Sequence, residues 1–251
     1  MSAGNEVFVK VRFLGSGDAF GSGGRFQTCI HLESGTTQLL VDCGASSLIA
    51  MRRFGVDPQT IDTVILSHLH GDHFGGVPFL ILDGQFKRRT RPLVVVGPPG
   101  VEARVREAME VFFPGASRVE RRFDTRFVEL GDRVTVAVAP LAVTAFGVVH
   151  ASGAPPFALR VACDGKIVTY SGDTEWTDSL IDAARGADLF IAEALFFDKA
   201  VKYHLDLATL LRHRAELDCR RLVVTHMSED MLRRLDGLEV ETAEDGKLVV
   251  V

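Results

Sequence analysis

Apolar residues along the chain fall in short runs, many of them β-branched and bounded by turn residues, which predicts buried strands. Three such runs, Val7 to Leu14, Phe26 to Leu32 and Gln38 to Val41, dominate the first forty residues. Further strands are predicted at Asp62–Ser67, Leu93–Val96, Arg126–Leu130, Val134–Ala139, Val143–Phe146, Phe157–Val161, Ile167–Tyr170, Leu189–Ala192 and Leu222–Thr225. Helical spacing occurs at Ala45–Phe54, after Pro78, at Val101–Phe113, Thr177–Ala184 and Leu207–Leu217. Thr177 reads as a capping residue, and Asp206 as a cap for the last helix. Strands first run together and then alternate with helices, and the pattern repeats once. That order predicts an α/β fold of two mixed sheets packed face to face with helices outside each. No low-complexity linker or repeat interrupts it, so residues 1–251 are expected to form a single domain.

One short segment carries the chemistry. His68-Leu69-His70-Gly71-Asp72-His73 places three imidazoles and a carboxylate between the end of a predicted strand and the Gly75-Gly76-Val77-Pro78 start of a helix. Imidazole nitrogen and carboxylate oxygen are ligands for zinc, manganese or iron(II). Rigid elements on both sides would fix their geometry. One loop cannot satisfy two metals. Three more candidates, His150, Asp173 and His226, each follow a strand-like run, and that shared placement predicts a common site. The Gly15 to Gly24 turn lacks a Gly-Lys-Ser/Thr ending, so it reads as a tight loop near the active site rather than a phosphate loop.

Composition narrows the class. At 47% hydrophobic over 251 residues the chain can bury a large core. Its longest membrane candidate, Val134 to Val149, is broken by Pro140 and two threonines, and Met1 to Glu6 lacks a basic start and an apolar signal core. A cytoplasmic protein is therefore expected. The four cysteines form no C-x-x-C pair and lie in or beside apolar segments, as buried free thiols do. A net charge of −5 argues against broad binding to a phosphate backbone. Two basic runs, Lys87 to Arg91 and Arg118 to Arg126, read as solvated loops.

The ordered set His68, His70, Asp72, His73, His150, Asp173 and His226 resembles the metallo-β-lactamase superfamily over nearly the whole chain, from the Gly15 turn and Asp42 to His226. The resemblance implies an αββα sandwich with the site at the edge between the sheets. It implies two divalent transition metals, zinc foremost, with manganese or iron as alternatives. His68, His70 and His150 would hold one, Asp72, His73 and His226 the other, and Asp173 would bridge them. Asp rather than Cys at position 173 departs from the zinc β-lactamases, and the short tail after His226 from glyoxalase II. Tyr203-His204-Leu205-Asp206 and the preceding Glu193 are similar to the segment of tRNase Z-like phosphodiesterases that brings a catalytic histidine to the scissile phosphate.

The implied activity is hydrolysis of a small phosphodiester or nucleotide-type substrate by a metal-bridging hydroxide. Asp72 would position or deprotonate the water, His204 would act at the phosphate or leaving group, and Arg25 with the Gly21 to Gly24 loop would line the approach. The basic loop and the Gly/Lys-rich arm of true tRNase Z have no counterpart, so large nucleic acids are not expected as substrates. A homodimer is implied by resemblance. Rival readings are a lactone, thioester or ester hydrolase with the same metals, a tRNA 3′-processing endonuclease, and a non-catalytic binding protein. A retired site could shed ligands, and here every ligand position is filled.

Overall fold

Two seven-stranded sheets lie face to face at the centre of the computed structural model, which describes residues 8–35 and 37–251. The first contains β1 (Lys10–Gly15), β2 (Cys29–Ser34), β3 (Thr37–Val41), β4 (Thr63–Ile65), β5 (Leu93–Gly97) and β6 (Thr125–Glu129). The second contains β7 (Thr135–Val138), β8 (Leu141–Gly147), β9 (Phe157–Cys163), β10 (Lys166–Tyr170), β11 (Leu189–Glu193), β12 (Leu222–Thr225) and β13 (Glu241–Thr242). The final strand, β14 (Leu248–Val250), returns to the first sheet and pairs antiparallel with β1, setting Lys10 opposite Val250. Antiparallel pairing joins β1 to β3 and β7 to β10, and parallel pairing joins β3 to β6 and β10 to β13.

Helices α1 (Ser47–Arg53), α2 (Gly71–Phe74), α3 (Val77–Phe86) and α4 (Val101–Phe112) belong to the first half of the chain. Helices α5 (Ser179–Ala184), α6 (Leu207–Arg212) and α7 (Glu229–Leu232) belong to the second. Three apolar layers hold this αββα sandwich together. Phe13, Ile30, Leu159, Tyr170 and Ile191 fill the space between the sheets. Leu40, Met51, Leu80 and Val105 seal the first sheet to its helices, and Leu180, Phe190, Leu210 and Val224 do so for the second. The central parallel strands face apolar layers on both sides, which is why β4, β11 and β12 are buried at every position. No helix of the described residues is long and apolar enough to cross a membrane.

The elements depart from expectation at definite places. The strand predicted from Phe26 begins at Cys29, because Phe26 N–H donates to Asp245 and Gln27 N–H to Ser46 Oγ instead of joining the ladder. The helix predicted to Leu217 ends at Arg212 and gives way to a 3-10 turn at Arg214–Glu216. Asp206 caps that helix as expected, accepting from Thr209 N–H at 2.8 Å. Helix α5 starts at Ser179 after Asp178, one residue later than the expected cap, and Thr177 contributes a long 3.5 Å contact from Ser179 N–H to its hydroxyl. Arg89, read as part of a solvated run, is buried, and its guanidinium donates to the carbonyls of Pro58, Gln59, Ile61, Arg91 and Pro92. It ties the α3 end to the β4 approach. Cys29, Cys43 and Cys163 are buried free thiols, whereas Cys219 is only half-buried. Val7 and the Met1 to Glu6 stretch lie outside the described residues.

Near the C-terminus, Glu241 receives two hydrogen bonds from Arg221, at 2.6 and 2.7 Å, and lies 2.8 Å from Lys247 Nζ. The Arg221 bonds, with help from Lys247, hold its carboxyl down at about 2, against an ordinary 4.5. A depressed folded-state value means stabilisation that is complete above the unfolded value and lost as pH falls through the folded one. Glu241→Gln should therefore lower the melting temperature at neutral pH, and the gap to the parent should narrow as pH drops below about 4.5. A gap that persists unchanged down to about pH 3 would remove Glu241 from the stability of this edge.

Candidate metal centre

The site stands at the carboxyl ends of six strands. Asp42 follows β3, His68 follows β4, His150 follows β8, Asp173 follows β10, Glu193 ends β11 and His226 follows β12. Ligands of open α/β sheets gather in this crevice outside the strand ends. The short helix α2 supplies Asp72 and His73, with His70 at its N-cap and His73 N–H donating to the His70 carbonyl at 3.0 Å. Asp42, Tyr203 and His226 adopt left-handed backbone, with φ of 56°, 73° and 57°. Strain of this kind in residues other than glycine concentrates at functional sites. Gly172 turns the chain into Asp173 at φ 61°, where an added Cβ would meet the Phe157 carbonyl at 2.7 Å.

Every predicted ligand is brought together. His68, His70 and His150 form one group, Asp72, His73, Asp173 and His226 a second, with the donor atoms of each group within 4.8 Å of one another. Asp173 Oδ2 reaches both, lying 4.0 Å from His68 Nε2, 3.3 Å from His73 Nε2 and 3.5 Å from His226 Nε2. Asp72 Oδ2 is 3.1 Å from His73 Nε2 and 3.4 Å from His226 Nε2. Glu193, His204, Asp173 and His226 form a further overlapping group, in which His204 Nδ1 is 3.0 Å from Glu193 Oε2. His68, His73, Asp173, Glu193 and His226 are buried, while His70, His150 and His204 are half-buried and mark the open side.

Neighbours fix which nitrogen faces inward. Asp42 accepts from Ser67 N–H and Ser67 Oγ–H and lies 2.6 Å from His73 Nδ1, so His73 presents Nε2. Ser67 Oγ lies 3.0 Å from His68 Nδ1, and the Tyr203 carbonyl accepts from His150 Nδ1 at 2.9 Å. His150 Nε2 then faces His70 Nδ1 at 3.1 Å. Burial pushes His68, His70 and His150 down, which keeps them neutral with lone pairs to give. Burial also acts to lower His73 and His226, but Asp173 and Asp72 raise both. Burial would raise Asp72 and Asp173, yet His73 and His226 hold both carboxyls well below the usual range. Glu193 goes the other way, pushed up by burial and by the charge of Asp173.

These donors suit cations. His68 Nε2, His73 Nε2 and Asp173 Oδ1 are buried without a hydrogen-bond partner, a costly arrangement that a coordinated ion would relieve. The four carboxylates and six imidazoles gathered here can take two divalent ions close together. Among the other expected site residues, Arg25 donates from one guanidinium nitrogen to Ser16 Oγ and the Ala243 carbonyl, so it braces the glycine turn. That turn abuts the site, with His226 N–H donating to the Ser16 carbonyl. His31 pairs with Gln38 and His213 stacks on Trp176, both away from the ligands. The orienting roles of Ser67 and the Tyr203 carbonyl were not read from the sequence, and Asp42 was noted there only as part of the resemblance.

A sequence model of the family described as Anti-Pycsar protein Apyc1 matches residues 9–242. The chain belongs to that family. It is also similar to proteins named Ribonuclease Z, such as that of Lachnoclostridium phytofermentans, at 25% identity over 90% of this chain and 89% of the relative. The Ribonuclease Z of Methanothermobacter thermautotrophicus is 29% identical over 88% of this chain and 87% of its own length. Among solved structures, human tRNase Z, short form, superposes with a TM-score of 0.78 at 25% identity, covering 96% of this chain and 98% of that one. The metallo-beta-lactamase fold protein YhfI from Bacillus subtilis gives 0.76 at 23% identity, covering 96% and 99%. The Apyc1-family chain is thus a metal-dependent hydrolase of the metallo-β-lactamase superfamily, tRNase Z-like branch.

A bridging Asp173 predicts a particular pattern of metal loss. Asp173→Ala should lower metal content at both positions, from up to two ions per chain. Asp42→Asn, which loosens His73 directly and His68 only through Ser67, should weaken the position held by Asp72, His73 and His226 by about 10–100-fold and the other by less. Elemental analysis that finds unchanged metal in Asp173→Ala would contradict the bridge.

Proposed function

We propose that this protein is a dinuclear-metal phosphodiesterase acting on a small, nucleotide-type phosphodiester. In this reading His68, His70 and His150 hold one ion, Asp72, His73 and His226 the second, and Asp173 serves both. Zinc is the first choice and manganese or iron the alternatives, since mixed imidazole and carboxylate donors suit all three. When bound, the two ions activate water and neutralise charge that builds on the phosphoryl oxygens. Asp72, beside His73 and His226 and slightly open to solvent, would accept a hydrogen bond from the attacking water and orient it toward phosphorus.

The observation that carries the phosphodiester assignment is the His204–Glu193 pair at 3.0 Å. His204 lies beside both ligand groups, 4.0 Å from Asp173 Oδ2 through Nδ1, yet neither ion of the proposed split requires it. Glu193, itself held by Thr174 N–H and Leu205 N–H, fixes the ring through Nδ1 and leaves Nε2 to contact a non-bridging oxygen or protonate the leaving oxygen. An ester or lactone hydrolase has less need of a second acid, and parallel assays on bis(p-nitrophenyl) phosphate, lactones and thioesters separate the readings.

A second reading, tRNA 3′ processing, rests on the relatives named Ribonuclease Z, which align over about nine-tenths of both chains. They withdraw support from the expectation that large nucleic acids are excluded. The net charge of −5 still predicts weak, strongly salt-dependent tRNA binding at physiological salt. Tight binding of precursor tRNA with cleavage at its 3′ trailer would make this second reading the first.

His204→Ala should leave folding and metal content intact and lower kcat on an unactivated phosphodiester by about 10²–10⁴-fold. The loss should shrink on a p-nitrophenyl ester, whose leaving group hardly needs a proton. Glu193→Gln should give a milder drop. An undiminished rate in His204→Ala with metals retained would place the lactone and thioester readings level with this one.

A further inference from the structure

His226 leaves β12 with left-handed backbone, φ 57°, a conformation that a residue other than glycine keeps only when its surroundings enforce it. The glycine turn enforces it here. His226 N–H donates to the Ser16 carbonyl at 3.1 Å, and Gly17 N–H, on the opposite edge of the same peptide, donates to the Phe26 carbonyl at 2.8 Å. The Ser16–Gly17 peptide is thus held between the ligand segment and the approach to β2. A Cβ at position 17 would meet the Phe26 carbonyl oxygen and Arg25 Cβ at 2.9 Å, so this close approach needs glycine.

One side chain holds both flanks of that peptide. Asp245 Oδ1 accepts from Ser16 N–H at 2.9 Å and from Ser16 Oγ–H at 2.8 Å, while its Oδ2 accepts from Phe26 N–H at 2.7 Å. Arg25 adds a bond to Ser16 Oγ at 3.2 Å and another to the Ala243 carbonyl at 2.7 Å. Asp245 is itself fixed, because it lies on the crossing from β13 in the second sheet to β14 in the first. Before it, Ala243 N–H donates to the Val224 carbonyl at 2.7 Å, and after it Gly246 N–H donates to the Phe13 carbonyl at 2.7 Å. The carboxylate therefore ties the His226 backbone to both sheets. The first ligand group is held by other means, His68 by Ser67 and His150 by the Tyr203 carbonyl.

We infer that Asp245 is a positioning residue for His226, and that through it the C-terminal crossing sets the affinity of the metal position shared by Asp72, His73 and His226. Three hydrogen bonds to one ionised carboxylate are strong enough to fix the Ser16 carbonyl. Without them the carbonyl is free to turn, the His226 backbone relaxes from its left-handed conformation, and the imidazole moves with it. The groups that orient a ligand change metal affinity by about 10–100-fold, and Asp245 acts one bond further back, so the low end of that range applies. The inference rests on the ligand split proposed above and does not depend on the substrate.

Zinc occupancy at each position tests this. Metal-free parent and variants are equilibrated at buffered free zinc concentrations that span both binding steps, and anomalous diffraction from crystals held at those concentrations gives the occupancy of each position. Asp245→Ala should raise the zinc concentration for half-occupancy among Asp72, His73 and His226 about tenfold, and shift the position among His68, His70 and His150 by less than about twofold. Asp245→Asn keeps one acceptor oxygen of the two and should give a smaller loss at the same position. Glu244→Ala, at the exposed neighbour, should change neither. Unchanged affinity at both positions, or equal weakening of both, in folded Asp245→Ala overturns the assignment. If that variant does not fold, Asp245→Asn decides by the same two outcomes. Parent protein that takes no zinc among Asp72, His73 and His226 overturns the ligand split, and this inference with it.

Discussion

Oδ2 of Asp173 lies within 4.0 Å of imidazole nitrogens from His68, His73, His204 and His226, on three different segments of the chain. Asp173 is buried, and a buried carboxylate is tolerable only when it is paired and hydrogen-bonded or bound to a metal. The fold serves that requirement. β4 and β10 come from different sheets, and their carboxyl ends meet at one edge of the sandwich. Gly172 supplies the turn that aims the carboxylate inward, and no side chain fits in its place without displacing Phe157.

The electrostatics divide the cluster into parts with different tasks. Burial favours the neutral form of the first group's histidines; Ser67 orients His68, the Tyr203 carbonyl orients His150, and His70 and His150 are partly open to solvent. The second group is deeper, tied together by the Asp72 and Asp173 carboxylates and held by Asp42 through His73. Glu193, pushed up by its burial and by the charge of Asp173, locks His204 at the rim. Removing one carboxylate from such a cluster leaves the facing imidazoles without the groups that make their burial affordable.

The sandwich and the ligand set were legible in the sequence because His68, His150, Asp173 and His226 each follow an apolar run and His70, Asp72 and His73 crowd into one six-residue segment. Asp42 follows the Gln38–Val41 run in the same way, so its orienting role had the same signal as Asp173. Tyr203 had none, since it acts through its backbone carbonyl and any residue can supply one. The α6 boundary was also hidden: His213 leaves the helix to stack on Trp176 and pair with Glu216, a tertiary contact that outweighs local apolar spacing. β13 and β14, at two and three residues, are too short for periodicity to register. Arg89 sat inside a basic run whose other members look outward, and only its carbonyl partners distinguish it.

The central claim is that two ions share Asp173. Anomalous diffraction from crystals of the metal-loaded protein tests it most directly. The account predicts two peaks about 3.5–4 Å apart, one among His68, His70 and His150, the other among Asp72, His73 and His226, with the Asp173 carboxylate between them. A single peak at full metal loading, or a second peak held by Glu193 and His204 instead of Asp72 and His73, would contradict it.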